Sequence, residues 1–178
     1  MKAVLFDTET TDLITTTARA LDKQPRIIEF YACLIDPAKP KVLGEIEFLC
    51  DPGQPLREET TKITGITQAD LKGKAPFKEH LPKVQALFSK ADVVVAHNLS
   101  YDFSMVNFET ERAGKLFKWP ARKLCTVEMT EHLKGYRLSL TNLHELLFDK
   151  PFDGAHRAKQ DVEALVRCYR ELLTRGEI

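Results

Sequence analysis

The chain has 178 residues, 43% of them apolar and 29% charged, which excludes a disordered or fibrous protein and predicts one domain spanning residues 1–178. Its 26 basic and 26 acidic side chains cancel to a net charge of zero. That balance argues against nucleic-acid binding through bulk positive charge, so local features would have to hold any polyanionic partner.

Strands are predicted first along the chain. Residues 2–6 and 26–35 are apolar runs rich in the branched and aromatic residues that strands favour, and both are expected to be buried. Residues 42–49 alternate between apolar and acidic side chains, which is typical of an outer strand with one face in solvent. The prolines between the second and third strands predict a hairpin-like link and antiparallel pairing.

Helical periodicity dominates the second half of the chain, around a short buried strand predicted at 92–96. Ser139 is a candidate N-cap, and Gly176 a candidate end for the last helix. The predicted helices occupy four segments, which are residues 81–88, 101–108, 140–147 and 162–173. Early strands followed by strand-helix alternation predict an α/β fold, with a mixed central β-sheet flanked by α-helices.

Two acids end the first predicted strand. Because side chains alternate along a strand, Asp7 and Glu9 should project from the same face. Adjacent carboxylates raise each other's pKa unless a cation lies between them, so a metal site is one interpretation. The other is that both side chains face solvent, since D-x-E is a short pattern that is common by chance.

A further acid follows the strand at 92–96. Asp102 is expected near the start of a helix, and ligands of open α/β sheets collect beside the carboxyl ends of strands, where it could meet Asp7. Alternatively, Asp102 interacts only with the helix dipole. In that interpretation, His97 and Asn98 satisfy backbone groups in the turn.

The third cluster precedes the last helix. Asp161 lies four residues before Leu165 and borders the apolar stripe of that helix, so an inward-facing carboxylate there needs a partner. His156, five residues earlier, is expected on the loop or first helical turn. A lone histidine is most often a surface residue, so only its neighbours favour a catalytic role.

Taken together, the segments F-D-T-E-T, H-N-x-x-Y-D and H-R-A-x-x-D strongly resemble, in order and separation, the three exonuclease motifs of the DEDDh family. This family includes the proofreading epsilon subunit of bacterial DNA polymerase III, ribonuclease T and oligoribonuclease. The resemblance covers residues 2–173 and implies an RNase H-like fold. It also implies a general base, His156, and four metal-binding acids, which are Asp7, Glu9, Asp102 and Asp161.

The resemblance further implies substrate-contacting residues, which are Thr10, Leu13, Ile63, Gly65, Ile66 and Asn98. In the loop predicted at 63–67, Ile66 is expected to pack against the 3′-terminal base. The alternative is that Ile63 and Ile66 are core residues under a turn at Gly65.

Three features depart from the family pattern. Asp12 stands where many members have Gly, and Tyr101 replaces a frequent Phe. The link 14–24 is longer than usual and borders the expected cleft, where it would change strand access or hold a partner.

Carboxylates supply hard oxygen ligands, which suit Mg²⁺ or Mn²⁺ better than zinc. Two ions per site, ~3.5 to 4 Å apart, are expected to hold the phosphodiester, activate water and steady the leaving 3′ oxygen, with His156 taking the proton of water. The predicted activity is 3′ to 5′ hydrolysis of DNA at single-stranded or frayed 3′ ends, including proofreading, to nucleoside 5′-monophosphates. RNA trimming by the same family and nucleic-acid binding by an inactive module are the alternatives.

The partners and location are predicted from what the chain does not contain. It has no polymerase motifs, so any DNA polymerase partner would be a separate subunit. No stretch approaches the ~18 to 20 apolar residues of a membrane helix, and the apolar start is too short for a signal peptide. A cytoplasmic protein without a membrane partner is expected.

Two remaining features allow more than one interpretation. A basic cluster near the middle of the chain is either a phosphate-binding patch or a solvated helix end, and consists of Arg112, Lys115, Lys118, Arg122 and Lys123. Trp119 could stack on a base or anchor the packing. The four separated cysteines are expected to be core residues without chemistry.

Overall fold

The computed structural model describes residues 1–15 and 20–178. Among these residues, one sheet has five strands in the order β3-β2-β1-β4-β5. The strands are β1 (Ala3–Thr10), β2 (Ile27–Ile35), β3 (Val42–Leu49), β4 (Val93–Ala96) and β5 (Arg122–Cys125). β1 pairs antiparallel with β2 and parallel with β4, so the mixed sheet changes pattern at its central strand.

Helices cover both faces of this sheet. They are α1 (Glu58–Thr64), α2 (Gln68–Leu71), α3 (Phe77–Phe88), α4 (Leu99–Arg112), α5 (Thr126–Thr130), α6 (Leu140–Phe148) and α7 (Ala158–Arg175). Short 3₁₀ helices occupy Leu21–Lys23 and Glu131–Leu133. The predicted α/β fold with a mixed sheet flanked by helices is confirmed, and Ser139 caps α6 by accepting a hydrogen bond from the backbone N–H of Asn142.

The alternation of side chains along β1 divides the core into two layers. Val4 and Phe6 pack with α3 and α4 on one face. Ala3 and Leu5 pack with the apolar stripe of α7 on the other. Asp7 and Glu9 continue the α7 face, whereas Thr8 continues the α4 face. The central strand therefore delivers polar side chains to both layers.

Several boundaries differ from the sequence prediction. β1 extends four residues past the predicted end at Phe6, so both of its acids lie within the strand. The segment predicted as a loop from 63 to 67 begins inside α1, which ends at Thr64. Residues 16–19 of the predicted long link lie outside the described residues. β5 and the short helices α1, α2 and α5 lack a long periodic pattern, which is why periodicity missed them.

The cysteines and the search for membrane helices give simple results. All four cysteines are free and buried, as expected for core residues. Among the described helices, none combines the length and apolar character needed to cross a bilayer.

Candidate active site

The sheet opens beside the second half of β1. β4 pairs with β1 only from Ala3 to Leu5. The chain leaves β4 after Ala96 and passes through Asn98, whose φ of 68° is left-handed, into α4. Beyond Leu5, β4 no longer pairs with β1, so polar side chains from other elements can approach this edge of β1. This is the carboxyl end of a parallel strand pair, where α/β sheets commonly hold ligands.

Three carboxylates converge on the α7 side of this opening. Asp7 and Glu9 come from β1, and Asp161 comes from the first turn of α7. One oxygen from each lies within 4.8 Å of the others, and all three side chains are partly buried. The structure thus brings together acids separated by about 150 residues of sequence, as the resemblance implied.

Asp102 approaches the site from the opposite face. It is 3% exposed in the first turn of α4. Its Oδ1 accepts hydrogen bonds from the backbone N–H of Thr8 at 3.0 Å and from the Thr8 hydroxyl at 2.7 Å. Asp102 therefore lies outside the group of three, but close enough for its charge to act on Asp7.

Burial raises the pKa of every one of these acids, and the charges of the other acids raise it further for Asp7, Glu9 and Asp102. Burial, followed by the charges of Asp102 and Glu9, holds the pKa of Asp7 well above its usual range. Burial and the charge of Asp161 raise the pKa of Glu9 to about 8. Burial raises the pKa of Asp102 to about 7 against the opposing hydrogen bonds from Thr8. Burial likewise raises the pKa of Asp161 to about 6.

This donor set fits a divalent cation. The converging ligand atoms are carboxylate oxygens, the donors preferred by Mg²⁺ and Mn²⁺. A cation among them would offset the repulsion that raises their pKa values. The group Asp7, Glu9 and Asp161 could hold one ion, and the approach of Asp102 to Asp7 offers ligands for a second.

His156 lies at the exposed edge of the acid site. Its φ is 68°, in the left-handed region that non-glycine residues rarely adopt. Its backbone N–H donates to Oδ2 of Asp161 at 3.0 Å, which ties the histidine to one of the three acids. The imidazole is solvent-exposed. This position beside the acids is the one expected for a group that exchanges protons with water.

A cleft of about 520 Å³ extends from Glu9 along the turn after β1 and along α1. Four of the predicted substrate-contacting residues line it, namely Thr10, Leu13, Ile63 and Asn98. Leu13 is 76% exposed and Ile63 is 57% exposed, although both are large and apolar. Exposed apolar side chains in a cleft next to acids are suited to contact a nucleobase.

The prediction that Ile66 packs against the terminal base is wrong. Ile66 is 2% exposed and packs with Ile28 and Leu71 in a buried cluster. Gly65 ends α1 with a φ of 71° and does not line the cleft. The alternative of a core residue under a turn thus holds for Ile66 but not for Ile63. The reason is geometric, since the left-handed turn at Gly65 separates the directions of the two side chains.

The cleft has a rim that the sequence did not predict. Arg57, just before α1, forms an ion pair with Asp12 at 2.6 Å. The Tyr101 hydroxyl donates to the Asp12 carbonyl oxygen at 2.9 Å. Asp12 and Tyr101 both depart from the family pattern. This shared departure is the feature of the sequence that could have predicted their contact.

The basic cluster does not form one surface. Arg112 is largely buried, where it pairs with Glu109 at 2.9 Å and donates to three backbone carbonyl oxygens between residues 21 and 25. The other four cations of the cluster are exposed. Trp119 packs against Phe6 and Phe88, and its Nε1 donates to Asn107, so it anchors the packing.

The chain matches a protein-family model described as "Exonuclease" over residues 4–169. It is 30% identical over 174 residues to a PolC-type DNA polymerase III of Caldanaerobacter subterraneus subsp. tengcongensis, a match that covers 96% of this chain and 11% of that protein. It is 32% identical over 172 residues to the PolC-type DNA polymerase III of Pediococcus pentosaceus, covering 94% and 11%. The chain spans about a tenth of the length of these curated relatives.

Solved structures show the same fold. The nuclease domain of 3′hExo, a DEDDh family member bound to rAMP, superposes with a TM-score of 0.80 at 17% identity, covering 98% of this chain and 92% of that one. Exonuclease X in complex with 5′ overhanging duplex DNA superposes with a TM-score of 0.70 at 23% identity, covering 98% and 93%. The chain belongs to the DEDDh family of 3′ to 5′ exonucleases, and its fold is RNase H-like.

Proposed function

We propose that residues 1–178 form one exonuclease domain that removes nucleotides from the 3′ end of DNA, at single-stranded or frayed ends, with divalent metal ions. The observation that carries this proposal is the group Asp7, Glu9 and Asp161, whose oxygens lie within 4.8 Å of one another at the opening of the sheet. Such close acids are costly without a cation between them. The products would be nucleoside 5′-monophosphates.

Each part of the site has a role in this reaction. Asp7, Glu9, Asp102 and Asp161 would hold two Mg²⁺ or Mn²⁺ ions, which when bound supply charge to stabilise the transition state and lower the pKa of water. His156 would accept the proton of the attacking water and release it to solvent, with which it is in contact. Leu13 and Ile63 would hold the terminal base between them in the cleft.

The choice of DNA rests on the relatives. The two PolC-type proteins at 30% and 32% identity are DNA polymerases by name, which supports DNA as the substrate and a role beside DNA synthesis. A DNA polymerase would then be a partner. The 3′hExo nuclease domain is bound to rAMP, but at 17% identity its likeness to this chain carries the fold alone. RNA is therefore an outcome to be tested.

The test compares end-labelled single-stranded DNA, duplex DNA, mismatched DNA and RNA of one sequence, with Mg²⁺, with Mn²⁺ and with a chelator. With a 3′-labelled strand, the label should appear at once in a mononucleotide. A 5′-labelled strand should instead become shorter one nucleotide at a time. Asp7→Asn, which keeps the side-chain shape, is the matched control and should be inactive.

Three results would contradict the proposal. Cleavage that persists in chelator would exclude the metal-dependent reaction. Faster cleavage of RNA than of any DNA would favour RNA trimming. Binding of DNA by wild-type protein without cleavage under any metal would favour an inactive binding module.

A further inference from the structure

A fifth acid lies directly beside the site. Glu29 of β2 stands opposite Glu9 in the β1–β2 ladder and is 2% exposed. Its charge contributes to the raised pKa values of Asp7, Glu9 and Asp161. A buried carboxylate that adds to an existing repulsion is unfavourable unless another group compensates for it. The groups that bind the Glu29 carboxylate therefore indicate its role.

Glu29 is bound from a single direction by the start of α7. Nε of Arg157 donates to Oε1 at 3.1 Å and to Oε2 at 3.2 Å, and Nη2 of Arg157 donates to Oε1 at 2.7 Å. The backbone N–H of Ala158 donates to Oε2 at 3.0 Å. This forked arrangement restrains orientation as well as distance. Both residues that follow His156 are therefore fastened to β2.

The turn that Glu29 fastens carries two groups of the candidate site. His156 directly precedes Arg157 and has the left-handed φ of 68°. The Arg157 carbonyl oxygen accepts the backbone N–H of Asp161 at 3.0 Å, and Asp161 accepts the N–H of His156. The backbone of His156 is thus fixed from one side by Asp161 and from the other by Glu29 through Arg157.

α7 has other contacts with the sheet besides this ion pair. The helix packs on the sheet through apolar side chains that include Val162, Leu165 and Tyr169, each at most 1% exposed. Lys159 also pairs with Glu47 of β3 at 3.0 Å in an exposed ion pair. Glu29 is the buried acid among these contacts, and it binds the residues adjacent to the histidine.

We propose that Glu29 is a positioning residue that acts through Arg157 to hold His156 where it can accept a proton. This inference rests on the proposed function, because it assigns Glu29 a part in the same reaction. It concerns how the histidine is placed and leaves the metal ligands unchanged. A displacement of about 1 Å in such a group can lower a rate on the order of 100-fold.

The test uses Glu29→Gln, which removes the charge but keeps the shape, and Arg157→Lys, which keeps the charge but removes the fork. Both should lower kcat ~10- to 100-fold while KM and the Mn²⁺ concentration at half-maximal rate stay within about twofold of wild type. Glu47→Gln is the matched control, since it breaks an exposed ion pair from the sheet to the same helical turn, and it should leave kcat unchanged.

A double-mutant cycle separates positioning from stability. Combined with His156→Ala, Glu29→Gln should lower the rate by less than about twofold, because the group that it positions is already gone. If Glu29→Gln does not fold, Arg157→Lys takes its place in the cycle, and the same result is expected. Losses that multiply in the double variants would overturn the inference, as would a rate restored by added Mn²⁺, which would mean that Glu29 acts on the metal ligands.

Failure of the proposed function gives a different result. In that case wild-type protein itself would not cleave, and the inference would fall together with the function on which it rests. Active wild-type protein with unaffected Glu29→Gln and Arg157→Lys variants would overturn this inference alone.

Discussion

His156 combines a fixed backbone with an exposed ring. Its N–H is bound to Asp161, whereas the acids around it are partly or fully buried. A general base needs this combination, because it must keep its position during proton transfer and then exchange the proton with solvent.

His156→Ala should lower the single-turnover cleavage rate by ~10²- to 10⁴-fold, the usual contribution of a general base. Binding of Mn²⁺ should be nearly unchanged, because the imidazole is not among the converging carboxylate ligands. Rapid-quench kinetics at saturating metal would measure the first effect and a metal titration the second. A variant that cleaves at the wild-type rate would make His156 a bystander.

Ile63 and Ile66 provide a comparison between a cleft residue and a core residue. Ile63→Ala should raise KM for single-stranded DNA by ~3- to 10-fold with little loss of stability, because the side chain is 57% exposed in the cleft. Ile66→Ala should lower the free energy of unfolding by ~2 to 4 kcal/mol, because it leaves a cavity beside Ile28 and Leu71.

Steady-state kinetics and denaturant unfolding of both variants would check this pair of predictions. The reverse outcome, with KM changed only by Ile66→Ala and stability only by Ile63→Ala, would show that the cleft is not where the base binds.

At the scale of elements, the site depends on how the turn after β1 is held against α1 and α4. Asp12 pairs with Arg57 on the α1 side, and its carbonyl oxygen accepts from Tyr101 on the α4 side. The Tyr101 hydroxyl also lies 2.5 Å from Oγ1 of Thr10. Burial raises the pKa of Tyr101 to about 12, so the hydroxyl keeps its proton and remains a donor at neutral pH.

Tyr101→Phe should therefore loosen the turn that carries Leu13 without disturbing the acids. A net hydrogen bond contributes about 0.5 to 1.5 kcal/mol, so KM for DNA should rise ~2- to 10-fold while kcat changes by less than about twofold. Steady-state kinetics measure the two parameters separately. Tyr136→Phe, at a 57% exposed tyrosine outside the cleft lining, is the control and should match wild type.

A fall in kcat for Tyr101→Phe with unchanged KM would contradict this assignment. It would mean that the hydroxyl supports the acids rather than the wall of the cleft.

At the scale of the whole molecule, we expect the acid site to make stability depend on pH and on metal. The pKa values of Glu9, Asp102 and Asp161 are raised to about 8, 7 and 6, so the folded metal-free protein binds more protons than the unfolded chain between about pH 4 and 8. Stability should fall as pH rises through this window. The protonated form of these acids is favoured in the folded state, and this contribution to stability is lost as they ionise.

In chelator, the melting temperature should fall by ~4 to 8 °C between about pH 5 and 8, which corresponds to ~2 kcal/mol after allowance for solvent screening. Added Mn²⁺ should restore most of this loss at the higher pH, because the cation binds the folded state. Differential scanning fluorimetry over a pH series would measure both effects.

Asp7→Asn provides the control for this experiment. Removing one charge from the group should flatten the pH dependence in chelator and weaken the response to Mn²⁺. A metal-free melting temperature that stays constant over the window would show that the acids do not repel one another as the geometry requires.

Much of the fold and the acids of the site could be predicted from the sequence. Strand alternation places Asp7 and Glu9 on one face of β1, and the order of the three motifs predicted which distant acids belong together. A continuous apolar run predicted β2. Longer segments predicted β3, α3, α4, α6 and α7, because their apolar residues recur with the period of the element.

Only the tertiary structure decided which neighbours these residues meet. Asp102 binds Thr8 from the opposite face of the sheet, Ile63 rather than Ile66 lines the cleft, and Glu29 fastens the turn after His156 through Arg157. Local periodicity determines the face on which a side chain lies. It does not determine contacts between residues 90 to 130 positions apart, which follow from the pairing of strands and the docking of helices.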